Sequence, residues 1–250
     1  MTAIADLRRA VGRGATSRAF GGATLALALN GIIPSQALAQ VGGSLAVESD
    51  YLLRGSSLTD GDPAAIAQLT YDHSSGMYLN FAGVVRFGPH DPRFMGVIGN
   101  VGYARQLNAS LTLDAGVIRS QIRSANDYGR PYHYTEFYGG ASIGRVTGRV
   151  YYSPDYRSHG VSTLYGELEA GFEPVRDWRV NAHIGVKAYL DAASYETKGS
   201  KRPDWRVGIS KRFGRVEAHA ALSGGGPGKT YYGYYLRHNP AITGGASISF

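Results

Sequence analysis

Residues 241–250 read Ala241-Ile242-Thr243-Gly244-Gly245-Ala246-Ser247-Ile248-Ser249-Phe250, a run that alternates apolar with small or polar positions. Ile242, Ala246, Ile248 and Phe250 share one face of an extended strand, because successive side chains point to opposite sides. A terminal strand of this kind, closing on an aromatic residue, is expected in an outer-membrane barrel. There the last strand must pair with the first, since no unpaired backbone edge can face lipid. It is also the segment through which the barrel-assembly machinery would engage the chain.

The same period of two recurs upstream. In 178–190 the set Trp178, Val180, Ala182, Ile184, Val186, Ala188 and Leu190 is apolar, while Arg179, Asn181, His183, Gly185, Lys187 and Tyr189 lie opposite. A helix would scatter those charges into the apolar face. Leu164, Gly166, Leu168, Ala170 and Phe172 stand against Tyr165, Glu167, Glu169 and Glu173; Met77, Leu79, Phe81, Gly83, Val85 and Phe87 stand against Tyr78, Asn80 and Arg86; Val216, Ala218, Ala220 and Leu222 stand against Glu217 and His219. Segments of about ten residues suffice for a tilted strand to cross a bilayer.

Connections between the segments alternate in length. Short ones fall at 74–76, 107–110, 144–145, 175–177 and 213–215, and long ones at 58–63, 88–93, 123–131, 157–161, 191–202 and 224–240. Eleven connections that interleave in this way predict an all-β, transmembrane antiparallel up-and-down barrel of about twelve strands, with tight turns at one end and extended loops at the other. Trp and Tyr near strand ends, at Tyr51, Tyr71, Tyr103, Tyr152, Trp178 and Trp205, suit girdles at headgroup level. Arg119 is the charged exception on the apolar face, near a strand end where the penalty is small.

Residues 1–39 read as a signal peptide. Arg8, Arg9, Arg13 and Arg18 form a basic region, an apolar core runs from Thr24 to Ile33, and Ala37-Leu38-Ala39 offers a small-residue cleavage site before Gln40. The barrel domain is then 40–250. No later run of about 18 apolar residues exists, so a membrane crossing has to be made by strands. The leader carries four Arg and one Asp, so the remainder keeps only +4 of the total +7, and a nucleic-acid partner is not needed to explain the basic balance. The 250 residues include 35 Gly, 18 Tyr and no Cys, which excludes disulfides, thiol catalysis and a lipoprotein anchor. A mean hydropathy of -0.20 conceals the pattern, because a barrel keeps its apolar surface in alternate positions.

Ser49-Asp50-Tyr51-Leu52-Leu53-Arg54-Gly55-Ser56-Ser57-Leu58-Thr59-Asp60-Gly61-Asp62-Pro63-Ala64 resembles the opening motif of the TorF family of outer-membrane porins. The likeness continues at Gln68, Tyr71, Gly76 and Tyr78, at Tyr134-Thr135-Glu136-Phe137-Tyr138 and at Tyr151-Tyr152-Ser153-Pro154-Asp155-Tyr156; 87–130 departs from it. The resemblance implies an outer-membrane barrel and a pore, and carries no substrate with it.

On the residues themselves, the lumen of such a barrel is lined by Glu48, Asp50, Arg54, Arg86, Asp114, Glu136, Arg149, Glu167, Glu169, Arg179, His183, Lys187, Arg206, Glu217 and His219. Glu48, Asp50 and Arg54 read as one inward charged row, able either to constrict a pore or to pair internally as filling. The function expected is passive diffusion of ions or small polar solutes. A structural or surface-binding barrel with a plugged lumen is the alternative, with Tyr231, Tyr232, Tyr234 and Tyr235 as a contact patch in loop 224–240. A lipid hydrolase would need His159 with Ser158 or Ser162 and Asp155, a cluster without an identifiable oxyanion donor. Ser223 to Thr230 mimics a phosphate-binding loop but lacks the first Gly and any strand-to-helix context. Asp60 and Asp62 read first as a turn, with a surface cation site as the lesser reading. A metal site from His183 and His219 would need adjacent strands and a third ligand, so no metal and no cofactor is expected. The partners expected are outer-membrane lipid and small solutes; no segment marks an oligomer interface.

Overall fold

The computed structural model describes residues 40–88, 92–123, 125, 131–158, 160–191, 199–225 and 240–250. The leader expected at 1–39 and the tyrosines of loop 224–240 lie outside these residues.

Strand β1 (Gln40–Glu48) is followed by the short strands β2 (Leu52–Leu53) and β3 (Ser56–Ser57), then by β4 (Ala64–Asp72), β5 (Met77–Phe87), β6 (Pro92–Gln106), β7 (Leu111–Ile122) and β8 (Tyr132–Ile143). The chain continues through β9 (Val146–Ser153), the short 3-10 turn Tyr156–Ser158, β10 (Thr163–Val175), β11 (Trp178–Tyr189), β12 (Lys201–Phe213), β13 (Val216–Gly225) and β14 (Ala241–Ser249). Twelve of these strands, all but β2 and β3, form one closed antiparallel barrel in sequence order. Turns of two residues join β8 to β9, β10 to β11 and β12 to β13, and Gly144, Asp177 and Gly214 supply the left-handed residue that such tight reversals require.

The terminal strand closes the cylinder. Its Ser249, Ser247 and Gly245 pair with Ser44, Ala46 and Glu48 of β1. Gly43 and Phe250 exchange both backbone hydrogen bonds at 3.0 Å. A side chain at residue 43 would stand 2.6 Å from the Phe250 ring, so the glycine is what lets that ring lie over the seam.

The two faces separate as the alternation requires. Phe81, Leu168 and Ile184 are about half exposed and Ile242 is 82% exposed, all on the outer wall, whereas Ala82, Val84, Ile98, Ile118 and Tyr165 are buried inside. Apolar residues ring the exterior from strand to strand, a surface suited to lipid and far beyond what an aqueous monomer tolerates. Tyr103, Tyr152 and Trp178 sit outward near strand ends as expected, and Arg119 projects outward with its guanidinium donating to Thr135 at 2.9 Å.

Two expectations need correction. Tyr51 belongs to no girdle: it is 6% exposed, inside the barrel. Nor do Glu48, Asp50 and Arg54 form one strand row, because β1 stops at Glu48 and residues 49–59 turn into the lumen as the β2–β3 hairpin. Asp50 holds that hairpin's base by accepting from the hydroxyls of Ser57 and Thr59, and Leu58 N–H donates to the Tyr51 carbonyl at 2.8 Å. Its tip turns through Arg54 and Gly55, both left-handed. Leu53 and Leu58 are buried against the interior, which rewards the inward fold.

Strand β6 carries a bulge. Val84 pairs with Gly96 and Val85 with Phe94, so Met95 is the extra residue, and it is driven inward to 1% exposure. Gly96 has φ of +138°, and a Cβ there would lie 2.0 Å from the Gln121 carbonyl oxygen. Gly96→Ala is therefore expected to destabilise the barrel by roughly 2 kcal/mol or more, read as a lower urea midpoint for loss of the heat-modifiable band on gel electrophoresis.

Candidate functional site

The site is the barrel interior, and its shape follows from which strand rows face inward. None of the fifteen residues expected to line the lumen is solvent-exposed. The structure brings most of them together in pairs that cross between strands.

On one side the space is filled. Tyr78, Tyr138, Tyr151, Tyr165, Tyr134 and Tyr156 form a buried aromatic cluster with Ile98, Ile118 and Met95. They fit because the neighbouring strands place glycines beneath them: a Cβ at Gly102 would stand 2.4 Å from the Tyr78 hydroxyl, and one at Gly185 would stand 2.2 Å from that of Tyr165. Their hydroxyls are committed to polar partners. Tyr78 and Tyr138 bond to one another, Tyr138 donates to Asn100 at 3.2 Å, and Tyr151 donates to Glu167 at 2.6 Å. Arg149 pairs with Asp114 at 3.0 Å, both almost fully buried. Charges can persist in such surroundings only when paired in this way.

Arg54, at the hairpin tip, reaches across to this packed side. It donates to the Glu136 carboxylate through two nitrogens at 2.7 and 3.2 Å, and its guanidinium lies 4.0 Å from the centre of the Tyr165 ring and 5.0 Å from that of Tyr151. The side chains of both Arg54 and Glu136 are under a tenth exposed. A forked ion pair stacked on aromatic faces is the strongest geometry available to an arginine. It latches the hairpin to the far wall.

The other side keeps polar space. Glu48, Asp50, Arg54, His183, Asp204, Arg206 and His219 line a cavity of about 30 Å³ between the hairpin and strands β1 and β11–β14. That volume holds about two waters. His219 Nε2 meets Glu48 at 2.8 Å, and His183 Nε2 meets Asp204 at 2.8 Å. His183 and His219 are thus engaged separately, on β11 and β13 with β12 between them, and do not form the pair considered from sequence. Glu167 and Glu169 lie beside His183 on β10.

Toward the short-turn end, Arg179 approaches Glu173 at 3.8 Å and Arg212 approaches Glu217 at 3.7 Å, both near enough to water to contribute little. At the loop end, Arg86 forks onto Asp62, so this carboxylate serves an ion pair within the loop. Nearby, Tyr156 packs at a tilt against Tyr134, ring centres 4.8 Å apart, and takes the Lys187 ammonium at 3.0 Å on its oxygen. Burial pushes the Tyr156 phenol up, but Lys187, Arg157 and Arg54 around it outweigh that effect and bring it down to about 7.

Sequence reasoning missed Asp204, and it set Tyr78 and Tyr165 on the inward face without naming the cluster they build. Asp204 was within reach, since it sits two residues before Arg206 on the same inward row of β12. The tyrosines depend on glycines across the sheet, a matter of register. Of the hydrolase cluster, His159 lies outside the described residues, Ser162 bonds to Asp191, and Asp155 accepts from Gly160 N–H at 2.7 Å.

A family model described as a bacterial protein of unknown function, Gcw_chp, matches residues 35–226. The chain belongs to the Gcw_chp family. No curated protein matches it. Among solved structures, this Gcw_chp barrel resembles the KdgM porin, at a TM-score of 0.52 and 12% identity over 84% of this chain and 99% of that one. A KdgM porin in complex with disordered oligogalacturonate matches at a TM-score of 0.50, again with 12% identity and the same coverage. An outer-membrane channel from Pseudomonas putida F1 matches at 0.48 with 11% identity over 84% and 95%. At these identities the KdgM likeness establishes the fold: a closed twelve-stranded barrel of the outer-membrane porin kind.

The Tyr156 environment yields a pH prediction for this Gcw_chp barrel. One phenolate is expected to titrate in the refolded protein with a midpoint about 7, visible as the ultraviolet band of tyrosinate and absent in Tyr156→Phe. An unfolded phenol titrates near ~10. The phenolate's contribution to stability is therefore complete above about pH 10 and fades as pH falls through about 7, so wild type and Tyr156→Phe should diverge most in alkaline denaturation.

Proposed function

We propose that this protein is an exported outer-membrane channel, its mature chain beginning at Gln40, through which ions or small polar solutes diffuse. The observation that carries the reading is the polar gap between the inward hairpin and strands β1 and β11–β14, inside a wall whose outer face is apolar. Three carboxylates, two guanidiniums and two imidazoles border that gap. A gap bordered by both signs, with no dominant field, favours small solutes of either charge over an acidic chain. In this respect the reading differs from what the oligogalacturonate complex says of KdgM. The likeness of residues 49–64 to the TorF porins and the exterior girdle residues support the same placement in the outer membrane. Lipid on one face and small solutes inside are then the partners, with assembly led by β14.

A second reading has its own observation. The filled tyrosine side and the latched hairpin suit a closed barrel whose role is structural. Conductance separates the two. Refolded wild type in planar bilayers is expected to show a small, ohmic conductance. Arg54→Ala removes one partner of a buried pair, a change that costs about 3–5 kcal/mol at such sites; it should free the hairpin and raise the conductance severalfold, and Glu136→Gln should act in the same direction. Silence from all three proteins, each with a folded mobility on gels, would favour the structural reading.

A further inference from the structure

Three lone-pair atoms converge on the inner wall of β10 and β11 with nothing between them. Glu169 and His183 are cross-strand partners, and Glu167 lies two residues along the same inward row. His183 Nδ1 stands 3.5 Å from Glu169 Oε1 and 4.0 Å from Glu167 Oε2. One ligand atom from each of the three residues lies within 4.8 Å of the other two. The side chains of His183 and Glu167 are more than nine-tenths buried, yet Nδ1, Oε1 of Glu169 and Oε2 of Glu167 make no hydrogen bond. Buried polar atoms without partners are rare because each forfeits its hydration. Three of them aimed at one point make a ligand set.

The surrounding contacts are those of an oriented ligand set. His183 Nε2 is 2.8 Å from Asp204 Oδ1 and 3.1 Å from the Tyr165 hydroxyl, so a proton on Nε2 is held by Asp204 and Nδ1 is the atom turned toward the two glutamates, able to offer its lone pair once an ion displaces any second proton. A carboxylate behind a histidine in this way fixes the ring and raises its basicity toward a metal. Tyr151 donates to Glu167 Oε1 at 2.6 Å, which leaves Oε2 to point at the gap. Without a metal, only a second proton on Nδ1 could balance these carboxylates, and it would reach them across 3.5 and 4.0 Å, beyond good hydrogen-bond distance, whereas one ion at the centre satisfies all three atoms.

We propose that Glu167, Glu169 and His183 bind one divalent transition-metal ion of the zinc type. One nitrogen and two carboxylate oxygens match its preference, and a tetrahedral ion with ligand bonds of ~2.0–2.1 Å spaces its ligands about 3.4 Å apart. The distances of 3.5 and 4.0 Å reach that spacing through small side-chain rotations. The fourth position belongs to water from the adjoining cavity, which His183 and Asp204 border and through which the ion enters. Asp204 is a positioning residue here, acting through His183. Soft thiol sites are excluded by the absence of Cys, while calcium and magnesium, which favour six or more oxygens, fit poorly.

The test is independent of conduction. Refolded, EDTA-stripped protein in detergent is dialysed against Zn2+ and its bound metal measured, with Co2+ substituted in parallel for its visible absorption. The expected result is one ion per chain, intense low-coordination Co2+ bands, and no competition by excess Ca2+ or Mg2+. Glu169→Gln and His183→Asn should abolish stoichiometric binding, Asp204→Asn should weaken it by about 10–100-fold, and His73→Asn, in an exposed turn, should leave it unchanged. Absence of zinc and cobalt binding by the folded wild type would overturn the proposal, as would equal binding by folded Glu169→Gln. A site that prefers calcium would overturn the metal class. Since wild type alone answers through Co2+, misfolding of a variant does not rescue the idea. A silent bilayer would leave this result standing, so the two proposals fail separately.

Discussion

Every backbone N–H and C=O in a wall with an apolar exterior has to find a partner within that wall, and this requirement makes the sheet close. Pairing of β14 with β1 is how it is met, from Ser44 opposite Ser249 to Glu48 opposite Gly245. Closure at twelve strands then sets the circumference, and the circumference sets an interior that side chains alone come close to filling. The rest of the molecule is a solution to that second problem. Tyrosines laid over glycines occupy the width on one side, a hairpin from the first long connection occupies the middle, and paired charges satisfy whatever polarity remains.

The charges explain why the interior is neither an oily core nor an open channel. Arg149 with Asp114, Arg54 with Glu136 and His219 with Glu48 each neutralise a group that could not stand alone at such burial. These pairs also tie strands that are not neighbours in the sheet, since Arg54 joins the hairpin to β8 and Arg149 joins β9 to β7. Pairing of this kind adds geometric definition to a cylinder whose backbone ladder alone would permit sliding of one strand along the next.

Much of this was legible in the chain. Alternation along 178–190 and its companions placed the strands, and the interleaving of short with long connections yielded their number and order, because both depend only on local period and turn chemistry. The same parity separated the two faces of each strand. What parity could not reveal was contact across strands. Leu52, Leu53 and Arg54 continue the pattern of β1 well enough to pass for its extension, and only the space available inside the closed wall turns them inward. Tyr51 carries the same ambiguity. A tyrosine suits a membrane interface and suits a lumen floored with glycine, and which it meets depends on register between strands far apart in sequence. The meeting of Glu169 with His183 likewise follows from the alignment of β10 on β11, whereas the sequence drew attention to His219 instead.

The hairpin that occupies the lumen is spliced between the first barrel strand and the second, and that first strand forms one side of the seam with β14. Residues 49–59 leave and rejoin the wall at Glu48 and Ala64, which face each other in the sheet, so the insert is tethered on both sides: it can swing within the bore without departing from it.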